Sequence, residues 1–413
     1  MQSAPNTSRL RILFVISSFS SGGISPVCVH AAQGLAKNPE FACTVLALYG
    51  LAKDSVDETD SVRMLCLEIV QNSSRAFLNW LKDNPQDVIL TNDVSKIESC
   101  FPYLPGNTVH IVGLHDHGRR YLDVILRNHQ YISGVWCVAK NVEEKLRSSL
   151  GSSGFSGLIK TMYNGAEFPG RPGRRIPDGP IGLLFMGRMD PLTKGIFDLV
   201  PIMNHLKRLG VPFKLTIAGG RHKELELRIK KHQLEPFVSW AGTVPREDCY
   251  KLASQNEVLL MTSRREPFGM VTIEAMSMGC VPLAYDIPSG SREIIEHGKN
   301  GLLLPLSRFH VWADSIRNLH ENRQNWWKLS QAAMDRAREH FNRERLAAGM
   351  DDFLKIVLSS AEVNPPRRES GAAKLEEPLT IQRTYRRLPP GLREWVRSTV
   401  GSSPKLSWWW LSR

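Results

Sequence analysis

Residues 181–188 read Ile181-Gly182-Leu183-Leu184-Phe185-Met186-Gly187-Arg188, and Lys194-Gly195 follows six residues after the arginine. A short apolar run that ends in glycine and feeds a stretch of helical spacing, here Gly195 to Arg208, reads as a buried strand leading into a helix. Just before it, Pro169 to Pro180 carries four prolines and three glycines. Such a stretch cannot be regular structure and marks a linker. Beyond it the alternation continues, with strands expected at Phe213 to Ala218, Val238 to Trp240, Val258 to Met261 and Val281 to Ala284. The helices between and after them are expected at Glu224 to His232, Arg246 to Ala253, Met270 to Met278, Arg308 to Leu319, Asn325 to His340 and Glu344 to Leu358. Working back from the linker, the first half has the same alternation. Strands are expected at Leu10 to Ile16, Ala42 to Leu48, Val88 to Thr91, Thr108 to Leu114, Gly134 to Val138 and Leu158 to Met162. Helices are expected at Ile24 to Ala36, Arg75 to Leu81, Arg120 to Arg127 and Asn141 to Leu150. Strands alternating with helices predict parallel sheets built of right-handed crossovers. The fold expected is therefore α/β, two doubly wound domains facing a cleft. The division expected is 1–170, 178–345, a carboxyl-terminal helix over 346–360 and a basic tail over 361–413.

Composition agrees with this and excludes other classes. The chain has 413 residues, of which 42% are hydrophobic and 23% charged, as in a globular protein with a sizeable core. No run approaches the roughly 18 apolar residues of a membrane span, and Leu10 to Ile16 is too short for a signal peptide, so a cytoplasmic protein is expected. The net charge is +12, and residues 365–413 contain ten Lys or Arg against four Glu. A basic tail on a nearly balanced body speaks for an anionic membrane surface and against nucleic acid as the partner. Seven cysteines at wide spacings, with no Cys-x-x-Cys, read as free thiols in a reducing compartment.

In this architecture ligands sit at the carboxyl ends of strands. Gly22-Gly23 follows the first strand, where glycine lets a ligand approach the backbone and the next helix offers free amides to an anion. An ordinary tight turn would read the same, and the Gly-x-Gly-x-x-Gly fingerprint is missing. Arg188 and Lys194 flank one strand-to-helix loop. A diphosphate suits them, the arginine as a bidentate fork and the lysine as a point charge; solvated surface cations are the alternative. The most informative stretch is Arg265-Glu266-Pro267-Phe268-Gly269-Met270-Val271-Thr272-Ile273-Glu274-Ala275-Met276. Glu266 and Glu274 lie eight residues apart, which a continuous helix would not place on one face. Pro267 biases Glu266 towards extended geometry, so the helix is expected to begin near Met270. Its first amides then form an anion cradle, with Glu274 about one turn in, close enough to accept hydrogen bonds from a sugar's hydroxyls.

At this point the chain resembles the retaining glycosyltransferases of family four (glycosyltransferase group 1), with the two-domain Rossmann-like fold called GT-B. The resemblance covers about residues 10–358. It rests on Gly22-Gly23, His115-Asp116, Asn164-Gly165, Gly187-Arg188 with Lys194-Gly195, Ala241-Gly242-Thr243-Val244, Glu266-Pro267-Phe268-Gly269, Glu274-Ala275-Met276 and Gly298-x-x-Gly301. By that resemblance Arg188 and Lys194 hold the donor diphosphate, Glu266 contacts the transferred sugar and Glu274 the nucleotide ribose. Backbone around Phe268, Gly269 and Met270 touches sugar and phosphate. Gly22-Gly23 closes over the phosphates, His115 lies near the anomeric centre, and backbone near Thr243 and Val244 holds the base. Two departures from the family pattern stand out. Ser289-Gly290-Ser291-Arg292-Glu293 replaces the usual paired glycines ahead of a glutamate, and Ala139 stands where a serine is common.

The resemblance implies transfer of a hexose from a nucleotide diphosphate sugar, with retention, to a glycan or lipid-linked acceptor of cell-envelope polysaccharide or lipopolysaccharide synthesis. No cofactor is expected, and without an Asp-x-Asp motif no metal either. A nucleotide-sugar epimerase of the same architecture, needing no acceptor, and a non-catalytic glycan-binding scaffold are the alternatives. In the tail, Leu388, Leu392, Trp395, Val396 and Val400 recur at helical spacing before Trp408-Trp409-Trp410. This fits a peripheral attachment to the cytoplasmic membrane face, or a helix packed on the body. Pro365 to Glu377 is polar and expected to be without order.

Overall fold

The first strand, β1 (Leu10–Ile16), is buried along nearly its whole length, as an apolar run must be when helices cover both faces of its sheet. The computed structural model describes residues 9–19, 22–49, 55–57, 62–67, 73–173, 176–363 and 365–370. After β1 come β2 (Phe41–Ala47), β3 (Ser55–Asp57), β4 (Val62–Cys66), β5 (Val88–Asn92), β6 (Val109–Leu114), β7 (Gly134–Cys137) and β8 (Leu158–Thr161). They form one sheet in the order β3-β4-β2-β1-β5-β6-β7-β8. All pairs are parallel except β3 with β4 at the edge. The second sheet holds β9 (Ile181–Met186), β10 (Phe213–Ala218), β11 (Val238–Gly242), β12 (Val258–Met261), β13 (Val281–Tyr285) and β14 (Leu302–Leu304). Its order is β11-β10-β9-β12-β13-β14, parallel throughout.

This topology fixes where a ligand can sit. In the first sheet the chain steps outward from β1 to β2 and β4, then returns to β5 on the other side of β1. In the second it steps from β9 to β10 and β11, then returns to β12. Strand order thus reverses between β1 and β5 and between β9 and β12. At each reversal the flanking helices diverge and leave a crevice at the carboxyl ends. Gly22-Gly23 follows β1, Arg188 and Lys194 follow β9, and Glu266 follows β12.

The two lobes share one continuous apolar core. Tyr163, Phe268 and Phe341 form a cluster with ring centroids 5.7–6.1 Å apart. Such aromatic pairs contribute about 0.5–1.5 kcal/mol each beyond their buried area. The chain crosses between lobes near Ala166, whose N–H donates to the Phe341 carbonyl (3.0 Å) and whose carbonyl accepts from Arg343 (3.0 Å). The long last helix, Arg343–Val363, then lies back on the first lobe, with Met350, Phe353, Leu354 and Val357 in the shared core.

Several expectations change in detail. The helix expected from Gly195 runs as a 3-10 turn, Ile196–Asp198, followed by the helix Leu199–Arg208. Asp198 is held at the junction by Tyr285 Oη (2.7 Å) and Arg264 (2.7 Å). Strands β3, β4 and β14 and the short helix Gly290–Ile294 escaped the sequence reading, being too short to show a period. Residues 365–370 are not without order. Arg368 donates to the carbonyls of Thr108 (2.7 Å) and Tyr131 (3.2 Å), and Arg367 N–H donates to Gln130 (3.0 Å). The amphipathic and Trp-rich part of the tail, 371–413, lies outside the described residues, as do Ser20 and Ser21. No helix among the described residues is long and apolar enough to cross a membrane. All seven cysteines are free thiols.

Candidate functional site

The loop carrying Lys194 is tied to the end of β12. Thr262 Oγ1 donates to the Lys194 carbonyl (2.9 Å), and Arg264 N–H donates to the Thr193 carbonyl (2.9 Å). The ammonium is thereby aimed at the segment after β12, where Nζ donates to Glu266 Oε2 at 2.6 Å. Ser263 Oγ adds a second donor to that oxygen at 3.2 Å. Both side chains are largely shielded, with 19% and 12% of their surface exposed. At this depth an ion pair of good geometry holds its orientation instead of dissolving into solvent contacts. Arg188 lies exposed at the end of β9, on the same switch-point loop, and no described bond joins it to the pair.

The helix start is as the sequence implies. Gly269 adopts φ +110 as N-cap of the helix Met270–Ser277, a conformation that only glycine takes without strain. The Thr272 N–H donates to the Gly269 carbonyl (2.9 Å), so the amides of Met270 and Val271 are the ones the helix itself leaves without a partner. Phe268 differs from its neighbours. Its side chain is buried in the interlobe aromatic cluster, so only its backbone is in reach of a ligand. Across the cleft, the Cβ direction of Gly23 points at the Met270 side chain, with room for a contact at 3.4 Å. The glycine turn after β1 therefore does face the helix start.

Glu274 is buried and paired with Arg246 (2.8 Å). Burial pushes its carboxyl pKa up, and the arginine opposes this. Arg246 opens the helix after Thr243-Val244-Pro245, and nothing in its sequence context signalled the pairing. Any hydroxyl that donates to Glu274 would share the carboxylate with this guanidinium. Thr243 is exposed and Val244 partly so, just beyond β11.

On the first lobe, His115 follows β6 and its Nε2 meets Asn92 Oδ1 at 2.9 Å. The Asn92 amide N–H groups donate to the carbonyls of Val15 (3.3 Å) and Leu90 (3.1 Å), which fixes Oδ1 towards the histidine. Nε2 must then carry the proton, leaving Nδ1 as an acceptor. Burial pushes the His115 pKa down to about 3, so the ring is neutral at physiological pH. Gly113 makes the bond sterically feasible: a Cβ there would sit 2.0 Å from Asn92 Oδ1. Asp116 forms an ion pair with Arg265 of the other lobe. Asn92 was invisible to motif reading because its role depends on β5 lying beside β6. A hollow of about 400 Å³ between the helices Leu199–Arg208 and Lys223–Lys231 includes none of these residues.

Two Rossmann-like sheets with facing switch points, joined by a doubly crossing linker, define the GT-B architecture. Residues 170–340 match the family described as glycosyl transferases group 1. Over this carboxyl-terminal lobe the chain is similar to that family. It is 35% identical over 132 residues, 32% of this chain and 24% of the relative, to the GtfA subunit of the UDP-N-acetylglucosamine–peptide N-acetylglucosaminyltransferase of Streptococcus pneumoniae. It is 28% identical over 164 residues, 39% of this chain and 40% of the relative, to the GDP-mannose:cellobiosyl-diphosphopolyprenol alpha-mannosyltransferase of Xanthomonas campestris. Its matches span about a quarter to a half of such curated relatives. In fold it is similar to sucrose-phosphate synthase from Thermosynechococcus elongatus, with a TM-score of 0.71 and 18% identity over 85% of this chain and 100% of that one.

Proposed function

We propose that the protein is a retaining glycosyltransferase that moves a hexose from a nucleotide diphosphate sugar to a hydroxyl of a glycan or lipid-linked acceptor. The observation that carries this is the shielded Lys194–Glu266 pair at the β9/β12 switch point, beside the free amides of the Met270 helix. Breaking the sugar–phosphate bond leaves an oxocarbenium-like carbon and a diphosphate of growing negative charge. Lys194, Arg188 and the helix amides stabilise that charge where it develops. The acceptor oxygen bonds the anomeric carbon on the face the diphosphate leaves, and the acceptor proton passes to a departing phosphate oxygen. Glu266 is held by an ammonium and a hydroxyl, which lowers its reactivity as a nucleophile and suits it to orient the sugar. Neutral His115 offers Nδ1 to a sugar hydroxyl. Donor contacts at Gly22, Gly23, Thr243, Val244, Phe268, Gly269, Met270 and Glu274 complete the assignment.

The named relatives use different bases and acceptors, a UDP-sugar with a peptide and a GDP-sugar with a diphosphopolyprenol. The basic tail favours an acceptor at an anionic membrane surface, in envelope polysaccharide synthesis. The experiment is a panel of nucleotide sugars, reading nucleoside diphosphate release with and without lipid extract. Release that requires both one donor and the extract supports the reading. Conversion of donor to an epimeric sugar without extract, or no turnover with any donor, removes it.

A further inference from the structure

The two places where the sequence departs from its family pattern, Ala139 and the segment 289–293, meet each other in the structure. The helix Lys140–Leu150 starts after Ala139, whose side chain cannot accept a hydrogen bond from the first amides. A carboxylate from the other lobe does so instead. Glu293 Oε2 accepts from Lys140 N–H at 2.8 Å, and Oε1 accepts from Asn141 N–H at 2.8 Å and from Asn141 Nδ2 at 2.7 Å. A negative group here also meets the positive end of the helix dipole. The Tyr163 hydroxyl bonds the same carboxylate, and this contact pushes the phenol pKa up further, beyond the effect of burial.

Both partners also hold the loop of Glu266. Asn141 Nδ2 reaches the Pro267 carbonyl at 3.2 Å. On the other side, Gly290 N–H, at the start of the short helix bearing Glu293, donates to the Glu266 carbonyl at 2.8 Å. Glu266, Gly290, Glu293, Asn141 and Pro267 thus form one closed ring of contacts, and within it only the Asn141 links cross the cleft. When the lobes separate, the Asn141 bonds to Pro267 and Glu293 are lost together, and water can satisfy the freed groups. The ring therefore exists in full only when the lobes are together.

We propose that Glu293 is a positioning residue that ties lobe closure to the setting of the Glu266 loop, by capping the first lobe's helix and orienting Asn141 onto Pro267. Its effect on turnover rests on the transferase reading above; the clasp itself does not.

The test uses the full chain with Glu293→Ala, Asn141→Ala, the double variant, and Glu293→Ala combined with Ala139→Ser. Two readouts are taken: hydrogen exchange at the Lys140 amide and across 265–268, with and without UDP, and the kcat and donor KM of transfer. Expected is at least tenfold faster exchange at Lys140 in Glu293→Ala, and a tenfold or greater loss of kcat with donor KM within threefold. The double variant should be no worse than the more impaired single one. A serine side chain introduced by Ala139→Ser can restore a local cap but cannot reach the other lobe, so transfer should stay low in that variant. Unchanged kcat in Glu293→Ala, or recovery with Ala139→Ser, would make Glu293 a helix cap only and overturn the proposal. Glu293→Gln, which keeps volume and one acceptor, should shift exchange in the same direction and guards against misfolding. If the wild type turns over no donor, the transferase reading fails. The clasp is then decided by exchange alone, and unchanged protection at Lys140 and 265–268 in Glu293→Ala refutes it.

Discussion

Lys194 Nζ and Glu266 Oε2 lie 2.6 Å apart on loops that leave two adjacent strands, β9 and β12, of one sheet. The pair joins the group proposed to hold the leaving diphosphate to the group proposed to orient the sugar. Lys194→Ala removes a charge-assisted bond of about 1.5–3 kcal/mol. If that bond acts at the transition state, kcat/KM falls by about 10- to 150-fold. Ser263 still donates to Glu266, so the melting temperature should move by only a few degrees. Steady-state kinetics and a thermal melt on the same preparation check both.

The Asn92–His115 contact predicts a stability effect far from any charge. Gly113→Ala would force a methyl to within 2.0 Å of Asn92 Oδ1. Overpacking of this kind costs about 1–3 kcal/mol, and here it also turns His115 away. Transfer should fall together with thermal stability. A melt unchanged from wild type would show that β6 can shift to accept the methyl.

How much of this was legible follows from the range of each signal. The strands β1, β5, β9 and β12 announced themselves as apolar runs, and Glu266-Pro267-Phe268-Gly269 announced a helix start, because these signals are local. Asn92, Arg246 and the Asp116–Arg265 pair were not legible. Each acquires its role from a strand neighbour or an opposing element. The partner is 28 positions away for Arg246, 149 for Asp116, and 23 for Asn92, where it lies just past the end of the neighbouring strand. Ala139 and the Ser289-Gly290-Ser291 stretch ahead of Glu293 were visible only as departures from a pattern, and the link from Glu293 to the helix after Ala139 is purely three-dimensional. Arg368 sat in a polar stretch whose composition gave no sign of its buried contacts.

Part of the acid sensitivity should be traceable to the buried His110 ring. His110 is fully buried, bonded to Thr91 and facing the Tyr131 carbonyl. Burial, and then the Arg368 charge, push its pKa down to about 3, against the Tyr131 bond. The unfolded chain takes up this proton near pH 6.5 while the folded one refuses it. The stability contribution is therefore complete above that pH and is lost as pH falls from about 6.5 towards 3, by up to about 1.4 kcal/mol per unit. His110→Gln should flatten the slope of unfolding free energy between pH 6 and 4.5 by up to one proton, measured in urea titrations.

The docked segment 365–370 sets where a tail truncation should begin. Removing 371–413 leaves the Arg368 contacts in place, whereas removing 365–413 also exposes the Thr108 and Tyr131 carbonyls, so the longer deletion should melt lower than the shorter one. Both truncations should weaken binding to anionic vesicles alike if the tail attaches to membranes. Equal vesicle binding by the full chain and the 371–413 deletion would end that idea.

The central claim is that the β9/β12 crevice recognises a diphosphate. Calorimetric titration of the wild type, Arg188→Ala and Lys194→Ala with matched nucleoside mono- and diphosphates tests it most directly. For the preferred base, the diphosphate should bind the wild type at least tenfold more tightly than the monophosphate. Either substitution should remove most of that difference. Equal affinity of the wild type for mono- and diphosphate, or a preference that survives both substitutions, would contradict it.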